Sequence, residues 1–107
     1  MKQNITPFAR QVYLITQMIP AGKVATYTDI AIKMGKPKAV RAVGNALHNN
    51  PEMIVIPCHR VVNIKGGLAI NFGFHGQDGQ KELLEKEGVE VINATVDLNK
   101  YRIRELK

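Results

Sequence analysis

The sequence predicts a mainly α-helical fold with a small β-hairpin wing, which is the winged helix-turn-helix arrangement of many DNA-binding domains. Two short helical patterns in the middle of the chain are separated only by Gly35, Lys36 and Pro37. A tight, glycine-containing turn between short helices is typical of a helix-turn-helix. Farther along, short apolar stretches flank Gly66 and Gly67, as the arms of a β-hairpin flank its turn.

The first predicted helix lies in the segment NITPFARQVYLITQMIP. Thr6 is the expected cap, and Pro7 suits the first helical position. Pro20 and Gly22 are expected to end the helix. Four apolar residues share one face at helical spacing, namely Phe8, Val12, Ile15 and Ile19.

The remaining elements are marked by the residues at their ends. The second helix, in ATYTDIAIKMG, is expected to begin at a Thr28 cap and to stop at Gly35. The third, in KPKAVRAVGNALHNNP, has a proline near its start and another beyond its end. MIVIP predicts a short strand or a buried connector, and VVNIKGGLAINFGF predicts the hairpin. The last helix, in QDGQKELLEKEG, is expected to be capped near Asp78 and stopped by Gly88, and the tail has some strand character.

The third helix is rich in small residues, namely Ala39, Ala42, Gly44 and Ala46. A glycine inside a helix costs ~1 kcal/mol relative to alanine. A helix tolerates this cost when another structure must approach its backbone closely. Both a neighbouring helix and a nucleic-acid groove fit this pattern, and the residues alone do not decide between them.

The positive charge is concentrated in the middle of the chain. The segment 23–65 has seven basic and two acidic residues, whereas the rest has eight basic and seven acidic residues. Five of the six net positive charges therefore lie in this segment. Such a concentration of positive charge suits the binding of a polyanion such as nucleic acid, although a solvated basic face gives the same pattern.

Composition argues against several other classes of protein. No apolar stretch approaches the ~18 residues of a membrane span, and the N-terminus has no apolar signal region, so we expect a cytoplasmic protein. A single cysteine cannot form an internal disulfide or a thiolate-rich zinc site. The three histidines, His48, His59 and His75, do not have metal-ligand spacing, and we predict no metal site.

The single cysteine, Cys58, lies in the segment IPCHRVV. It can be a buried apolar side chain, a metal ligand or a nucleophile, and burial as an inert side chain is the commonest of the three. A nucleophilic thiol needs a base near it in space, and a carboxylate usually orients that base. His59 is the candidate base. Glu87, at the end of the last helix, is the candidate carboxylate.

IPCHRVV resembles the active-site signature of the O6-alkylguanine-DNA alkyltransferases, the methylated-DNA–protein-cysteine methyltransferases. The resemblance extends over other segments in the same order, from about Thr6 to about Gly88. GKVATYTDIA resembles the segment leading into the family's helix-turn-helix, KPKAVRAVGNAL its recognition helix, NNP its hinge and ELLEKEG its final helix. The resemblance implies one domain, residues 1–107, without the N-terminal accessory domain that many members carry.

The resemblance also implies a chemical role for several residues. Cys58 is the alkyl acceptor of a single-turnover transfer, and His59, through a water, passes its proton towards Glu87. We accordingly expect a lowered pKa for the Cys58 thiol. Tyr27 crowds the phosphate of the damaged nucleotide and protonates the leaving guanine. Asn50 braces the turn that holds the active-site loop. No cofactor is needed for such a direct transfer.

Further residues are assigned to DNA by the same resemblance. Arg41 is expected to enter the base stack where the damaged nucleotide has been flipped out, and the recognition helix to lie in the minor groove of double-stranded DNA. A narrow groove admits a helix with small side chains. The expected DNA-binding residues are Arg41, Tyr27, Thr28, Lys38, Ala39, Ala42, Gly44, Asn45 and Arg60. A monomer is expected, associated with the nucleoid in a prokaryote or nuclear in a eukaryote.

The loop after the hairpin departs from the family pattern. FGFHG has Phe74 where the family has a tyrosine and His75 where it has a small hydroxyl residue. This loop and the C-terminal tail resemble the alkyltransferase-like proteins, which bind the same lesions without transfer and flag them for excision-repair proteins. Two functions therefore remain open, a suicide alkyltransferase and a lesion-binding adaptor. A helix-turn-helix protein without lesion specificity is a third.

Overall fold

The computed structural model describes residues 5–52, 54–70, 72–73 and 75–106. Its helices are α1 (Pro7–Thr16), α2 (Tyr27–Lys33), α3 (Val40–His48), α4 (Gly76–Lys86) and α5 (Leu98–Tyr101), with a 3₁₀ turn at Cys58–Arg60. Its strands are β1 (Ala25–Thr26), β2 (Val61–Val62), β3 (Val91–Ile92) and β4 (Thr95–Val96). Among the described residues, no helix is long and apolar enough to span a bilayer.

Helix α1 begins as predicted but ends earlier. Thr6 accepts a hydrogen bond from the Ala9 amide at 3.0 Å, and Pro7 opens the helix. The last helical residue is Thr16, four residues before Pro20. The chain then closes into shorter turns, in which the Met18 and Ile19 amides donate to carbonyls three residues back. Ile19 is fully buried even though it lies beyond the helix.

Helix α2 begins at Tyr27, and its cap is Thr26 rather than the predicted Thr28. The Asp29 amide donates to the Thr26 hydroxyl at 3.0 Å, and the Thr26 amide donates to the Asp29 carboxylate at 2.9 Å. This reciprocal pair is a capping box, which satisfies two amides that a helix start leaves unpaired. It places Tyr27 at the first helical position and Thr28 inside the first turn.

The connection from α2 to α3 is longer than predicted. The Lys36 amide donates to the Ala31 carbonyl and the Ala39 amide to the Lys36 carbonyl, so that residues 34–39 form turns. Helix α3 consequently begins at Val40. The two helices pack against each other and against α1, as a helix-turn-helix requires.

The wing is present, but its hairpin lies in the C-terminal tail. β3 and β4 pair antiparallel around Asn93 and Ala94, which both have positive φ, of 52° and 55°. Such a two-residue loop matches the twist of a hairpin. The predicted turn at Gly66 and Gly67 does form, closed by a 3.0 Å hydrogen bond from the Asn63 amide to the Gly67 carbonyl.

The two segments that flank this turn have other partners. β2 pairs parallel with β1 in the register Ala25 to Val61, and Gly67 bridges to Thr95. The Asn63 side chain accepts from the Lys65 and Gly67 amides and makes this loop compact in place of a hairpin ladder. The segment MIVIP, expected as a short strand or a buried connector, forms a turn at the exposed Ile54 and Val55 and, among its described residues, is buried only at Ile56 and Pro57. Met53 lies outside the described residues.

Helix α4 begins at Gly76, and the capping residue is His75 rather than Asp78. His75 and Gly76 both have left-handed backbone, with φ of 58° and 63°, and this turns the chain into the helix two residues before Asp78. Gly88, at φ 87°, ends the helix as predicted. Glu87 is thereby placed at the C-terminal cap.

The interior contains two apolar clusters that meet at β2. The first joins α1, α2 and α3 with Cys58 and Val61. The second joins Val62 with α4, the β3–β4 hairpin and Tyr101. Successive residues of a strand point to opposite sides, so Val61 and Val62 serve different clusters. The Cys58–Arg60 turn directly precedes β2 and therefore lies where the two clusters join.

Candidate active site and nucleic-acid interface

Cys58 lies at the wall of a cavity of about 460 Å³. Its side chain is 7% exposed, and Tyr27, at the start of α2, and Gly44, in the middle of α3, line the same cavity. The apolar part of the wall comes from Leu47, Leu68, Ala69, Ile70 and Phe72, and the polar part from Asn45, His48 and Asn63. The helix-turn-helix and the segment after β2 thus enclose one space around the thiol.

The loop before Cys58 is braced by Asn50. Its amide group donates to the Ile56 carbonyl at 2.7 Å, and its side-chain oxygen accepts from the Glu52 amide at 2.8 Å. This single side chain connects the end of α3 to the residues just before the cysteine. Its position agrees with the bracing role expected from the sequence.

The pKa of the Cys58 thiol is raised, which is opposite to the expected direction. Burial raises this pKa, and the hydrogen bonds from Asn50 and from the backbone of Cys58 itself lower it by less. A charge in the low-dielectric interior is disfavoured, so the protein holds the neutral thiol. Activation of this cysteine therefore requires that the proton leave when the sulfur attacks.

His59, 2% exposed, points towards α4 and contacts Glu87. Its Nε2 lies 3.1 Å from Oε2 of Glu87, so these residues meet although they are 28 positions apart. Burial lowers the pKa of His59, and the Glu87 hydrogen bond and charge oppose this only in part. The neutral ring that results donates from Nε2 to the carboxylate. Nδ1 is then the basic nitrogen, and it has no hydrogen-bond partner among the described residues.

Glu87 is held by Arg60 as well as by His59. The guanidinium donates from Nε to Oε1 at 3.0 Å and from one terminal nitrogen to Oε2 at 2.6 Å. Burial raises the pKa of Glu87, but the hydrogen bonds from Arg60 and His59 outweigh it and the net pKa is lowered. The carboxylate therefore stays ionised beside the imidazole.

Arg60 does not lie on the predicted DNA-binding surface. Its third hydrogen bond, at 2.7 Å, runs to the Ile19 carbonyl beyond the end of α1. With all three contacts directed inward, and a side chain that is 17% exposed, Arg60 connects α1 to the end of α4. Its assignment to DNA is corrected to a structural and electrostatic role beside Glu87.

The outer face of α3 carries most of the other residues assigned to DNA. Lys38, Arg41, Ala42 and Asn45 are exposed, and Ala39 and Thr28 are half-buried. Gly44 is turned towards Tyr27, since a Cβ at that position would lie 4.0 Å from the tyrosine ring. The small residues of this helix thus serve two purposes. Gly44 leaves space beside Tyr27, and the short side chain of Ala42 allows another surface to approach the outer face of α3 closely.

The structure describes one of the two residues that depart from the family pattern in the loop after the cavity. His75 is exposed at the start of α4, whereas Phe74 lies outside the described residues.

Sequence reasoning missed Gln80, which is fully buried on α4. A glutamine on an amphipathic helix is usually on the solvent face, and the adjacent Gly79 was the only local sign of close packing.

Fold and site together define a helix-turn-helix domain in which a cavity contains one cysteine beside a histidine–carboxylate pair. The chain belongs to the family of the 6-O-methylguanine DNA methyltransferase DNA-binding domain, whose family model matches residues 7–89. A methylated-DNA–protein-cysteine methyltransferase from Salmonella typhimurium is 45% identical over 84 residues, which are 78% of this chain and 47% of that protein. The chain spans about half the length of the curated methyltransferases that it matches.

Other relatives and solved structures also match most of this chain. A protein of Vibrio parahaemolyticus named DNA base-flipping protein is 40% identical over 96 residues, covering 89% of this chain and 94% of its own. The structure of S. pombe Atl1 with damaged DNA containing O6-carboxymethylguanine matches with a TM-score of 0.83 and 35% identity, over 96% of this chain and 100% of that one. The DNA complex of Mycobacterium tuberculosis OGT matches with a TM-score of 0.74 and 38% identity, over 81% and 52%.

Proposed function

We propose that this protein repairs O6-alkylguanine in double-stranded DNA by taking the alkyl group onto Cys58 in a single turnover. The observation that carries this proposal is the neutral His59, held by an ionised Glu87 directly after a buried cysteine that faces a cavity. A protein that only binds lesions has no need of a carboxylate-held histidine directly after its buried cysteine. Family membership agrees with the proposal.

The transfer is a displacement at the alkyl carbon. The bond from carbon to the O6 oxygen of guanine breaks while the bond from carbon to the Cys58 sulfur forms. The thiol proton passes to Nδ1 of His59, directly or through a water, and the ionised Glu87 stabilises the imidazolium. The leaving guanine takes a proton from the Tyr27 hydroxyl, and the tyrosinate recovers one from solvent as the imidazolium releases its own to solvent. The thioether product has no good leaving group, so each molecule acts once.

DNA access is the second part of the proposal. The reacting atom of a stacked base cannot reach a cysteine inside a protein, so the nucleotide must be flipped into the cavity. The small side chains on the outer face of α3 suit the minor groove, and we assign the exposed Arg41 to the gap in the base stack. Tyr27 lies at the helix start nearest the cavity, where a nucleotide phosphate would pass.

A second candidate is lesion binding without transfer. The near-complete match to S. pombe Atl1 and to a DNA base-flipping protein of similar length supports it. So does the raised pKa of the Cys58 thiol, which keeps the resting sulfur unreactive. In this alternative the protein holds the flipped base and presents it to excision-repair proteins.

Intact-mass spectrometry after incubation with duplex DNA containing O6-methylguanine separates the two candidates. We expect wild-type protein to gain the mass of one methyl group, mapped to Cys58, and never a second. Cys58→Ser should show no gain and should still bind the lesion. A wild-type protein that binds this duplex but stays unmodified would exclude the transferase and support the lesion-binding candidate.

A further inference from the structure

Gln80 is a fully buried polar side chain that the proposed chemistry does not use. It projects from α4 towards the residues around the cysteine turn. Its side-chain oxygen accepts from the Ala69 amide at 2.8 Å. Its Nε2 donates to the His59 carbonyl at 3.1 Å and to the Val61 carbonyl at 3.0 Å.

These contacts determine both the orientation and the identity of the side chain. A backbone amide can only donate and a carbonyl can only accept, so the oxygen must face Ala69 and the nitrogen the two carbonyls. A carboxylate could not donate to the carbonyls, and an apolar side chain would remove all three of these hydrogen bonds from the interior. Only a side-chain amide of this length satisfies them together.

The three backbone groups belong to two parts of the candidate site. His59 and Val61 flank the end of the Cys58–Arg60 turn, whereas Ala69 belongs to the cavity wall. Gln80 thus joins the segment that carries the nucleophile to the wall against which an alkylated base would lie. Glu87 lies seven residues further on the same face of α4, where it holds the side chain of the same His59.

We infer that Gln80 is a positioning residue, which holds the Cys58 turn at its working distance from the cavity wall. The inference rests on the proposed function. A displacement needs sulfur, carbon and oxygen close to a line, and misplacement by about 1 Å can reduce a rate by ~10²-fold. Gln80 touches none of the reacting atoms, and its effect passes through the backbone of His59 and Val61.

A purely stabilising role predicts different behaviour. Loss of buried hydrogen bonds destabilises a protein wherever they lie. In that case a Gln80 variant that is still folded would react at the wild-type rate. The matched control is Thr16→Val, which removes a fully buried hydroxyl outside the cavity lining whose one partner among the described residues is the Val12 carbonyl in α1.

The experiment compares wild type, Gln80→Met and Thr16→Val, each well below its own unfolding temperature. Two rates are measured: single-turnover transfer at saturating O6-methylguanine duplex, and Cys58 alkylation by iodoacetamide as a function of pH. For Gln80→Met we expect transfer to fall by about ten- to a hundredfold, with lesion affinity unchanged. The loosened turn should admit water to the thiol, so its pKa should fall towards the ordinary value and its reaction with iodoacetamide should become faster.

These opposite changes distinguish positioning from stability. Thr16→Val should be less stable but should match wild type in both rates. Wild-type rates in folded Gln80→Met would overturn the inference while leaving the proposed function intact. If wild type does not transfer at all, the proposed function fails, and the iodoacetamide profile alone decides the role of Gln80. If Gln80→Met does not fold, Gln80→Asn, whose shorter amide cannot reach both sides, is judged by the same two rates.

Discussion

Burial shifts the pKa values of the two residues that would exchange a proton in opposite directions. It raises the pKa of the Cys58 thiol and lowers the pKa of the His59 imidazole, because a charge on either is disfavoured in the interior. The resting pair is therefore neutral thiol and neutral imidazole. This is the protonation state from which a thiol can transfer its proton as it attacks, and it protects the sulfur from unwanted electrophiles before a lesion arrives.

Replacement of Glu87 by Gln tests this arrangement. The hydrogen bond and charge of Glu87 raise the pKa of His59, so their loss should lower that pKa further. In the dependence of the single-turnover transfer rate on pH, the acid limb should therefore move to lower pH. The maximal transfer rate should fall by ~10²–10⁴-fold, because the imidazolium formed during attack loses its carboxylate partner. The measurement is the single-turnover rate constant between acidic and neutral pH.

The matched control is Glu85→Gln, an exposed carboxylate on the same helix. It should retain the wild-type profile. Superimposable profiles for Glu87→Gln and wild type would show that the histidine–carboxylate pair takes no part in transfer. Since Arg60 also loses its ionic partner in the Glu87 variant, a lower free energy of unfolding is expected there and does not bear on this question.

The glycine in the middle of helix α3 reduces the stability of the helix but leaves space beside Tyr27. Gly44 lowers helix stability, yet it leaves space beside Tyr27 and lines the cavity. A methyl group at this position would make ordinary van der Waals contact with the tyrosine ring, at 4.0 Å, and would not clash with the protein. The glycine is therefore better explained by the contents of the cavity than by the packing of the helices.

Gly44→Ala should accordingly stabilise the protein and weaken its binding to a lesion. Urea unfolding should show a gain of ~0.5–1 kcal/mol, because alanine is the better helix former. Affinity for duplex DNA containing O6-methylguanine should fall relative to undamaged duplex, since the methyl group projects towards the space for the flipped base. The explanation fails if stability decreases, or if stability increases and lesion preference stays unchanged.

At the scale of the whole molecule, Arg60 and Glu87 connect the parts that must stay together. Arg60 bonds to the carbonyl of Ile19, beyond α1, and to the carboxylate at the end of α4. Tyr101 and Ile103 in the C-terminal tail bond to both sides of Val24, which precedes β1. Helix-turn-helix, cysteine turn and wing are thereby joined around β1 and β2.

The distribution of charge leads to a prediction about salt. If α3 lies against phosphates, affinity for undamaged duplex should fall linearly with the logarithm of salt concentration, with a slope of ~0.9 per phosphate contact. Lys38→Ala, before α3, should reduce that slope by about one contact. Lys86→Ala, on α4 and paired with Glu82, should leave it unchanged. Equal slopes for wild type and both variants, measured by fluorescence anisotropy, would place the DNA on another face.

Local sequence signals predicted which segments form α1 to α4, and the family pattern supplied the candidate site residues. Thr6 and Pro7 predicted where α1 begins, and Gly88 predicted where α4 ends, because these residues act through their own backbone and neighbouring amides. Thr28 was wrong because Thr26 forms a capping box two residues earlier, and Asp78 was wrong because the left-handed backbone of His75 and Gly76 starts α4 earlier. Cys58, His59 and Glu87 could be named from the family pattern, since such a pattern preserves residue type and order.

The pKa values and the contacts of these residues were determined by the tertiary structure. The pKa of Cys58 depends on burial, which no sequence pattern reports, and the lowered pKa expected from the relay through His59 and Glu87 was wrong in direction. Arg60 faces Glu87 and Ile19 rather than DNA, and Gln80 faces three backbone groups, because partners from α1, α4 and the cavity wall converge there. The hairpin formed at Asn93 and Ala94 because the first candidate arm paired with β1 instead. Contacts between distant segments are the physical reason in each case.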